Sequence, residues 1–398
     1  MDSQFNRVAP ANRLTTLLAS VSTADARFAT DFVDALLRTA RDAGASDVHL
    51  DPAADALVVR WRLDGVLQPL IRLPREAACN VVARLKVLAG LLTYETALPQ
   101  EGRICDDALN LEIRVSTFPA LHGERAVLRL LGASNRSLES LAQLGLPPAV
   151  LDELDRHLLG TSGAILVVGP AGSGKTTTAY ACLRHAVAQS DGGRSIASLE
   201  DPIEAAVETV AQSQVNLAVG FDMATGLRSL LRLDPEVIFI GEIRDRATAE
   251  VALQAALTGQ LVVTTFHAGN CEDAVNRLIE IGIPRYAVRN ALRVVIAQRL
   301  VRRLCACAQP GDVEQHARSI GLDVAKCWIP GRCDECHHTG YRGRSLIAEW
   351  RAMDGWDPVP QPAGNEQLWA SAKQLVEAGT TSPLEIVRVL GLRRILGN

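Results

Sequence analysis

Gly169-Pro170-Ala171-Gly172-Ser173-Gly174-Lys175-Thr176 is a glycine, four residues, then Gly-Lys-Thr, the pattern of a loop that wraps a phosphate. Its glycines permit backbone angles that turn successive amides toward one anion. Lys175 supplies charge to the β and γ phosphates of a nucleotide, and Thr176, with Thr177 beside it, offers a hydroxyl to Mg²⁺. A helix opening at Thr176 adds its positive end to the same point. A chance glycine-rich turn would need neither an apolar strand before it nor a helix after it, and this segment has both.

Three other segments carry chemistry. Asp234-Pro235-Glu236 leads into the apolar run 237–240 and then Gly241-Glu242. A phosphate-loop site requires a carboxylate near Mg²⁺ and the attacking water, and Glu242 is the candidate; the bland alternative is a solvated acid after a strand. Glu200-Asp201-Pro202-Ile203-Glu204 puts three acids in five residues. Like charges so close raise one another's pKa unless a cation compensates. A Mg²⁺-nucleotide site supplies one; otherwise this is a surface turn nucleated by Asp-Pro. His267 follows the run 261–266 and is either a sensor of the γ phosphate or a hydrogen-bonded structural group.

The elements that must position these residues are short apolar strands alternating with helices, expected at 164–168, 195–199, 237–240 and 261–266. That alternation specifies an α/β fold whose parallel sheet is covered on both faces. All four strands end on residues with chemistry, and the carboxyl ends of strands are where such sheets bind ligands. Upstream lies a smaller α+β domain over 28–131. It has an amphipathic helix at 30–43, strands at 56–63 and 109–115, and a helical stretch at 73–92. The remaining divisions are a tail at 1–27, a linker and lead-in helix at 132–161, the phosphate-loop core at 162–304, a cysteine-rich insertion at 305–348 and a helical region at 349–398.

Composition sets outer bounds. The 398 residues are 48% hydrophobic and 22% charged, with 41 basic against 45 acidic residues, as in a globular protein of two or three domains. A net charge of -4 gives no electrostatic footprint for nucleic acid, so DNA translocation is disfavoured. No apolar run approaches the roughly 20 residues of a membrane span, and the start lacks the pattern of a signal peptide. Of the nine cysteines, Cys79, Cys105, Cys182 and Cys271 are scattered. Cys305, Cys307, Cys327, Cys333 and Cys336 crowd together, which points to metal binding in a reducing cytoplasm. Cys333-x-x-Cys336 has good metal spacing, and a turn can aim Cys305 and Cys307 at the same tetrahedral ion, with Cys327 to spare; simple buried thiols are the alternative.

Together these residues resemble the secretion and pilus-assembly ATPase family, the type II secretion E proteins and the pilus extension motors. The family's aspartate box is matched by Glu200 to Glu204. Its second acidic strand is matched by Leu231-Arg232-Leu233-Asp234-Pro235 with Gly241-Glu242-Ile243-Arg244-Asp245, and its histidine box by Thr258-Gly259-Gln260-Leu261 through His267. In the first domain Ala45-Ser46-Asp47-Val48-His49, Arg60-Trp61-Arg62-Leu63-Asp64-Gly65 and Pro99-Gln100-Glu101-Gly102-Arg103 look like family segments. So does Arg114-Val115-Ser116-Thr117, followed by Gly123-Glu124. The resemblance runs from about Phe28 to Glu349. The histidine box departs from it in reading Phe266-His267-Ala268-Gly269, and the C-terminal region is compressed.

The resemblance implies a RecA-like P-loop ATPase domain in a homo-oligomeric ring, usually a hexamer, using ATP and Mg²⁺. It implies that Arg103 and Arg114 are brought to a phosphate as the domains close, and that Glu200 or Glu204 takes a proton. It also implies a zinc-binding insertion held by Cys305, Cys307, Cys333 and Cys336. The expected setting is cytoplasmic, docked on inner-membrane platform proteins without insertion into the membrane. A nucleotide-binding regulatory or assembly subunit with little turnover, and a pilus retraction motor, stand as alternatives.

Overall fold

The computed structural model describes residues 25–106, 111–131, 140–353 and 366–392, together with Leu14, Thr16 and Thr23. Most of the expected tail at 1–27, the start of the linker at 132–139, and residues 354–365 and 393–398 of the C-terminal region lie outside the described residues. The chain forms two compact units. One holds the N-terminal residues through 136 with 305–308 and 330–343; the other holds 137–304, 309–329 and 344–398.

The N-terminal unit opens with α1 (Phe28–Asp42), followed by β1 (Asp47–Pro52), β2 (Ala56–Leu63), β3 (Val66–Pro74), α2 (Arg75–Leu88), β4 (Gln100–Asp106), β5 (Leu111–Ala120) and β6 (Gly123–Leu131). The strands form one six-stranded sheet in the order β3-β2-β1-β6-β5-β4, and the pairings are antiparallel. Alternation along the strands separates two faces. Val48, Leu50, Leu57, Val59 and Trp61 pack with Phe28, Phe32, Leu36 and Val81 in one apolar core. The helical stretch read as 73–92 is shorter than expected because Leu73 and Pro74 complete β3. Lys86 is fully buried in this unit. Its ammonium is held by Glu124 at 2.7 Å and by the Glu95 carbonyl at 2.7 Å, as a charge removed from water requires.

The second unit contains α3 (Pro148–Leu158), β7 (Gly163–Val168), α4 (Lys175–Ser190), β8 (Ile196–Glu200), β9 (Ala211–Gln214), α5 (Met223–Leu230), β10 (Val237–Ile240), α6 (Arg246–Thr258), β11 (Leu261–Phe266), α7 (Cys271–Glu280), α8 (Arg285–Ala291) and β12 (Leu292–Leu304). After these come β13 (Gln309–Gly311), α9 (Val313–His316), β14 (Cys327–Ile329), β15 (Tyr341–Ala352), α10 (Glu366–Glu377) and α11 (Pro383–Leu390). Its main sheet runs β15-β12-β7-β11-β10-β8-β9, with parallel pairing from β12 through to β9. Strands β7, β8, β10 and β11 are buried along their whole length, which is why they read as continuous apolar runs. Two apolar clusters, one built on Leu166, Ile238 and Val262 and one on Ile165, Phe239 and Val263, fill the two faces of this sheet. Side chains of Asp222, Asp245 and Asn270 accept backbone N–H groups at the starts of α5, α6 and α7, which fixes where each helix leaves its loop. Among the described residues no helix is long and apolar enough to cross a membrane.

Candidate active site

The phosphate loop joins the end of β7 to α4. Gly169 has φ 155°, and a side chain there would come within 2.4 Å of Ser173 Oγ and 2.6 Å of the Gln298 carbonyl. Gly174, at φ 87°, caps α4 in the left-handed region, where a side chain is strained. Both positions therefore require glycine. Lys175 is buried, and its ammonium donates to the carbonyls of Gly169 at 3.0 Å and Pro170 at 3.2 Å. Burial lowers the Lys175 pKa; the charge of Glu242 offsets only part of this, and that of Arg299 adds to it. Ser173 Oγ is buried in the loop with no hydrogen-bond partner, an opening for a phosphate oxygen.

The acids stand around this loop because adjacent strand ends are laced together. Gly241 N–H donates to the Leu199 carbonyl at 2.9 Å, and Thr265 Oγ1 donates to the Gly241 carbonyl at 2.7 Å. Glu242, at the end of β10, lies with Oε1 2.8 Å from His267 Nε2 and accepts Arg244 Nε on Oε2 at 2.6 Å. Arg244 also reaches Asp201 Oδ2 at 3.1 Å, and hydrogen bonding to Glu242 raises its pKa further. Glu200, at the end of β8, is buried. It accepts the Tyr180 hydroxyl, Ser198 Oγ at 2.6 Å and Gln212 Nε2 at 3.0 Å. Glu204 is exposed in the loop after it.

These groups share one cavity of about 340 Å³, lined by Lys175, Thr176, Glu200, Glu204, Glu242 and Arg244 among others. The structure thus gathers the phosphate-loop residues, both acidic segments and His267 within the second unit. Arg103 and Arg114 belong to the N-terminal unit, where they face each other across β4 and β5. Arg103 pairs with Glu112 at 2.9 Å and Arg114 with Glu101 at 3.5 Å. Arg129 on β6 is the next residue in that row, opposite Arg114, and is paired with Asp47 at 3.0 Å.

Several residues of the site were not singled out by sequence. Gln298 on β12 is fully buried. It donates to the Ser173 carbonyl at 2.8 Å and accepts Thr178 Oγ1 at 3.0 Å. Arg299 beside it donates to the Gly269 carbonyl, and burial lowers its pKa. Asp245, which looked like one more acid of the second box, accepts Thr248 N–H at 2.8 Å as a helix cap.

The sulfurs of Cys305, Cys307, Cys333 and Cys336 lie within 4.8 Å of one another, with Cys305–Cys333 at 3.7 Å, Cys307–Cys336 at 3.8 Å and Cys333–Cys336 at 3.6 Å. Zinc–sulfur bonds of about 2.3 Å in a tetrahedron put sulfurs about 3.8 Å apart, so the set fits a closed structural zinc site. Cys327 is not part of the cluster; it lies buried on β14. Burial pushes Cys307 up to about 12, whereas the backbone N–H of Cys336 holds Cys333 down at about 7. The cluster belongs to the N-terminal unit. There the His337 ring lies 5.4 Å from the Trp61 ring, and Gly343 N–H donates to Asp64 at 2.8 Å.

A parallel sheet with a phosphate loop after β7 and carboxylates at the ends of the neighbouring strands defines the RecA-like P-loop ATPase fold. Residues 22–381 match the family described as Type II/IV secretion system protein, and the chain belongs to that family. It is 42% identical over 329 residues to type II secretion system protein E of Aeromonas hydrophila, covering 81% of this chain and 65% of the relative. Against the protein of the same name from Klebsiella pneumoniae it is 42% identical over 379 residues, covering 90% and 75%. The type II secretion system ATPase E of Vibrio cholerae is 40% identical over 329 residues, covering 81% and 65%. The chain thus spans about two thirds of the length of the Aeromonas and Vibrio relatives. Among solved structures, the fold is similar to the Legionella pneumophila ATPase DotB, with a TM-score of 0.60 at 20% identity, covering 90% of this chain and 91% of that one. It is also similar to the pilus retraction motor PilT, whose structure contains ADP, with a TM-score of 0.51 at 24% identity, covering 89% and 91%.

Proposed function

We propose that this chain is the ATP-hydrolysing subunit of a type II secretion or related pilus-assembly motor. The observation that carries the reading is the single cavity in which Lys175 and Thr176 meet the carboxylates of two neighbouring strands. The family membership and the ATPase named among the relatives support it. Lys175 and the loop amides bind the β and γ phosphates. The Thr176 hydroxyl and the Glu242 carboxylate would hold Mg²⁺, which neutralises phosphate charge when bound.

Water attacks the γ phosphorus, the bond to the bridging oxygen of the departing ADP breaks, and the proton of the water passes to the carboxylate of Glu200 or Glu204. His267 holds Glu242 in place. Arg103 and Arg114 contribute positive charge toward the phosphates. The working form on this reading is a homo-oligomeric ring, with six members expected, on the cytoplasmic side of inner-membrane platform proteins, and the four-cysteine site holds zinc.

The test is Mg²⁺-dependent phosphate release from ATP, measured at several protein concentrations beside Lys175→Ala. Turnover that rises with concentration and is lost in the variant supports the reading. ATP binding without turnover at any concentration, even with the platform proteins added, overturns it in favour of a regulatory subunit.

A further inference from the structure

Tyr180 lies on α4, five residues beyond Lys175. Its ring is buried against Phe239 of β10, with centroids 5.6 Å apart, while its hydroxyl reaches across to the end of β8. There it donates to Glu200 Oε2 and accepts the backbone N–H groups of Glu204 at 3.2 Å and Ala205 at 3.4 Å. A phenol has one proton and two acceptor positions, so its whole capacity is spent on one short segment.

Gln212 braces the same segment from the other side. Its Nε2 donates to Glu200 Oε1 and to the Ala205 carbonyl, each at 3.0 Å, and its Oε1 accepts Val207 N–H at 2.7 Å. Residues 200–207 carry Glu200, Asp201 and Glu204 to the cavity that also holds Lys175 and Thr176. If Tyr180 served only to fill space, phenylalanine would do as well without placing a buried hydroxyl.

We infer that Tyr180 is a positioning residue for the reaction, setting the Glu200 carboxylate and the Glu204 backbone from the same helix that carries Lys175 and Thr176. Burial, with the Glu200 carboxylate beside it, raises the phenol pKa well above its ordinary value, so it stays a proton donor throughout the working range. The inference rests on the ATPase reading.

The test is Tyr180→Phe, which keeps the ring and removes only the hydroxyl. Expected is a fall in kcat of about tenfold to a hundredfold, the effect of small misplacement at a reacting centre. KM for ATP and the affinity for a non-hydrolysable Mg²⁺-ATP analogue should stay within about twofold, since the loop amides, Lys175 and Thr176 are untouched. Unmodified protein that turns over beside a variant with unchanged kcat overturns the inference and leaves the ATPase reading standing. So does a variant in which analogue affinity, kcat and melting temperature all fall together, because that is a packing role alone. Unmodified protein that never turns over overturns both.

Discussion

Gln298 donates a 2.8 Å hydrogen bond to the carbonyl of Ser173, a residue 125 positions earlier in the chain. Its other amide atom accepts the Thr178 hydroxyl on the second turn of α4. One buried side chain on β12 therefore holds the phosphate loop to the sheet strand beside it. Substitution by Leu leaves the Ser173 carbonyl and the Thr178 hydroxyl unpaired, and an unpaired buried polar group costs about 1–3 kcal/mol. Gln298→Leu should lower stability by that order in chemical denaturation. It should also weaken nucleotide binding, read by titration with a Mg²⁺-ATP analogue, which sets it apart from Tyr180→Phe.

The sequence made the loop, its acids and their strands legible because each is local. An apolar run, a turn signal and a chemical group stand next to one another at 163–176, 196–204 and 237–242. Gln298 and Tyr180 act through the sheet, and nothing in their own neighbourhoods marks them: Gln298 sits in an apolar strand and Tyr180 in an alanine-rich helix. The parallel order that places β12 beside β7 emerges only from the assembled sheet. The cysteine pairs were legible as ligands by spacing. That the segments bearing them pack with the N-terminal unit depends on Trp61 and Asp64, both remote in sequence.

Glu242 holds both His267 and Arg244 on its two oxygens, so its carboxylate is fixed in direction before any substrate arrives. Glu242→Gln retains the shape and removes the charge. Turnover should fall by about 10²–10⁴, the range for loss of a positioned acid–base or charge partner, with nucleotide affinity less affected. His267→Gln should cost less, because Arg244 still orients the carboxylate. Phosphate release from the two variants, compared at saturating ATP, checks the order.

The four sulfurs of the cysteine cluster are spaced for one tetrahedral ion. Protein purified without chelator should contain about one zinc per chain, read by a metal-sensitive dye after release of the ion. Cys307→Ser and Cys336→Ser should lose it. Cys327→Ser should keep it, since that thiol lies outside the cluster. Stripping the metal should lower the melting temperature, because structural zinc contributes folding free energy and the loop bearing Cys336 packs on Trp61.

Glu385 is buried on α11 and accepts Arg302 Nε at 3.0 Å and Nη2 at 2.7 Å from β12, together with Arg388 Nε at 2.8 Å. Burial alone would raise its pKa, but the donors from Arg388 and Arg302 outweigh it and hold the carboxyl below its usual range. A carboxyl depressed in the folded state stabilises the fold above its unfolded pKa, and that contribution is lost as pH falls through the folded value. In the native chain this part of the stability should therefore be intact above about pH 4.5 and fade only in stronger acid. Glu385→Gln removes the charge and leaves Arg302, which is only 12% exposed, without its anion. Breaking a buried pair from one side typically costs about 3–5 kcal/mol, so the variant should unfold at markedly lower denaturant at pH 7. Its stability should also lose less than the native chain's between pH 5 and pH 3 (about the range in which carboxylates titrate). Urea midpoints across that range measure both effects. A variant that tracks the native curve at every pH would show that the Glu385 charge adds nothing to the stability of the fold.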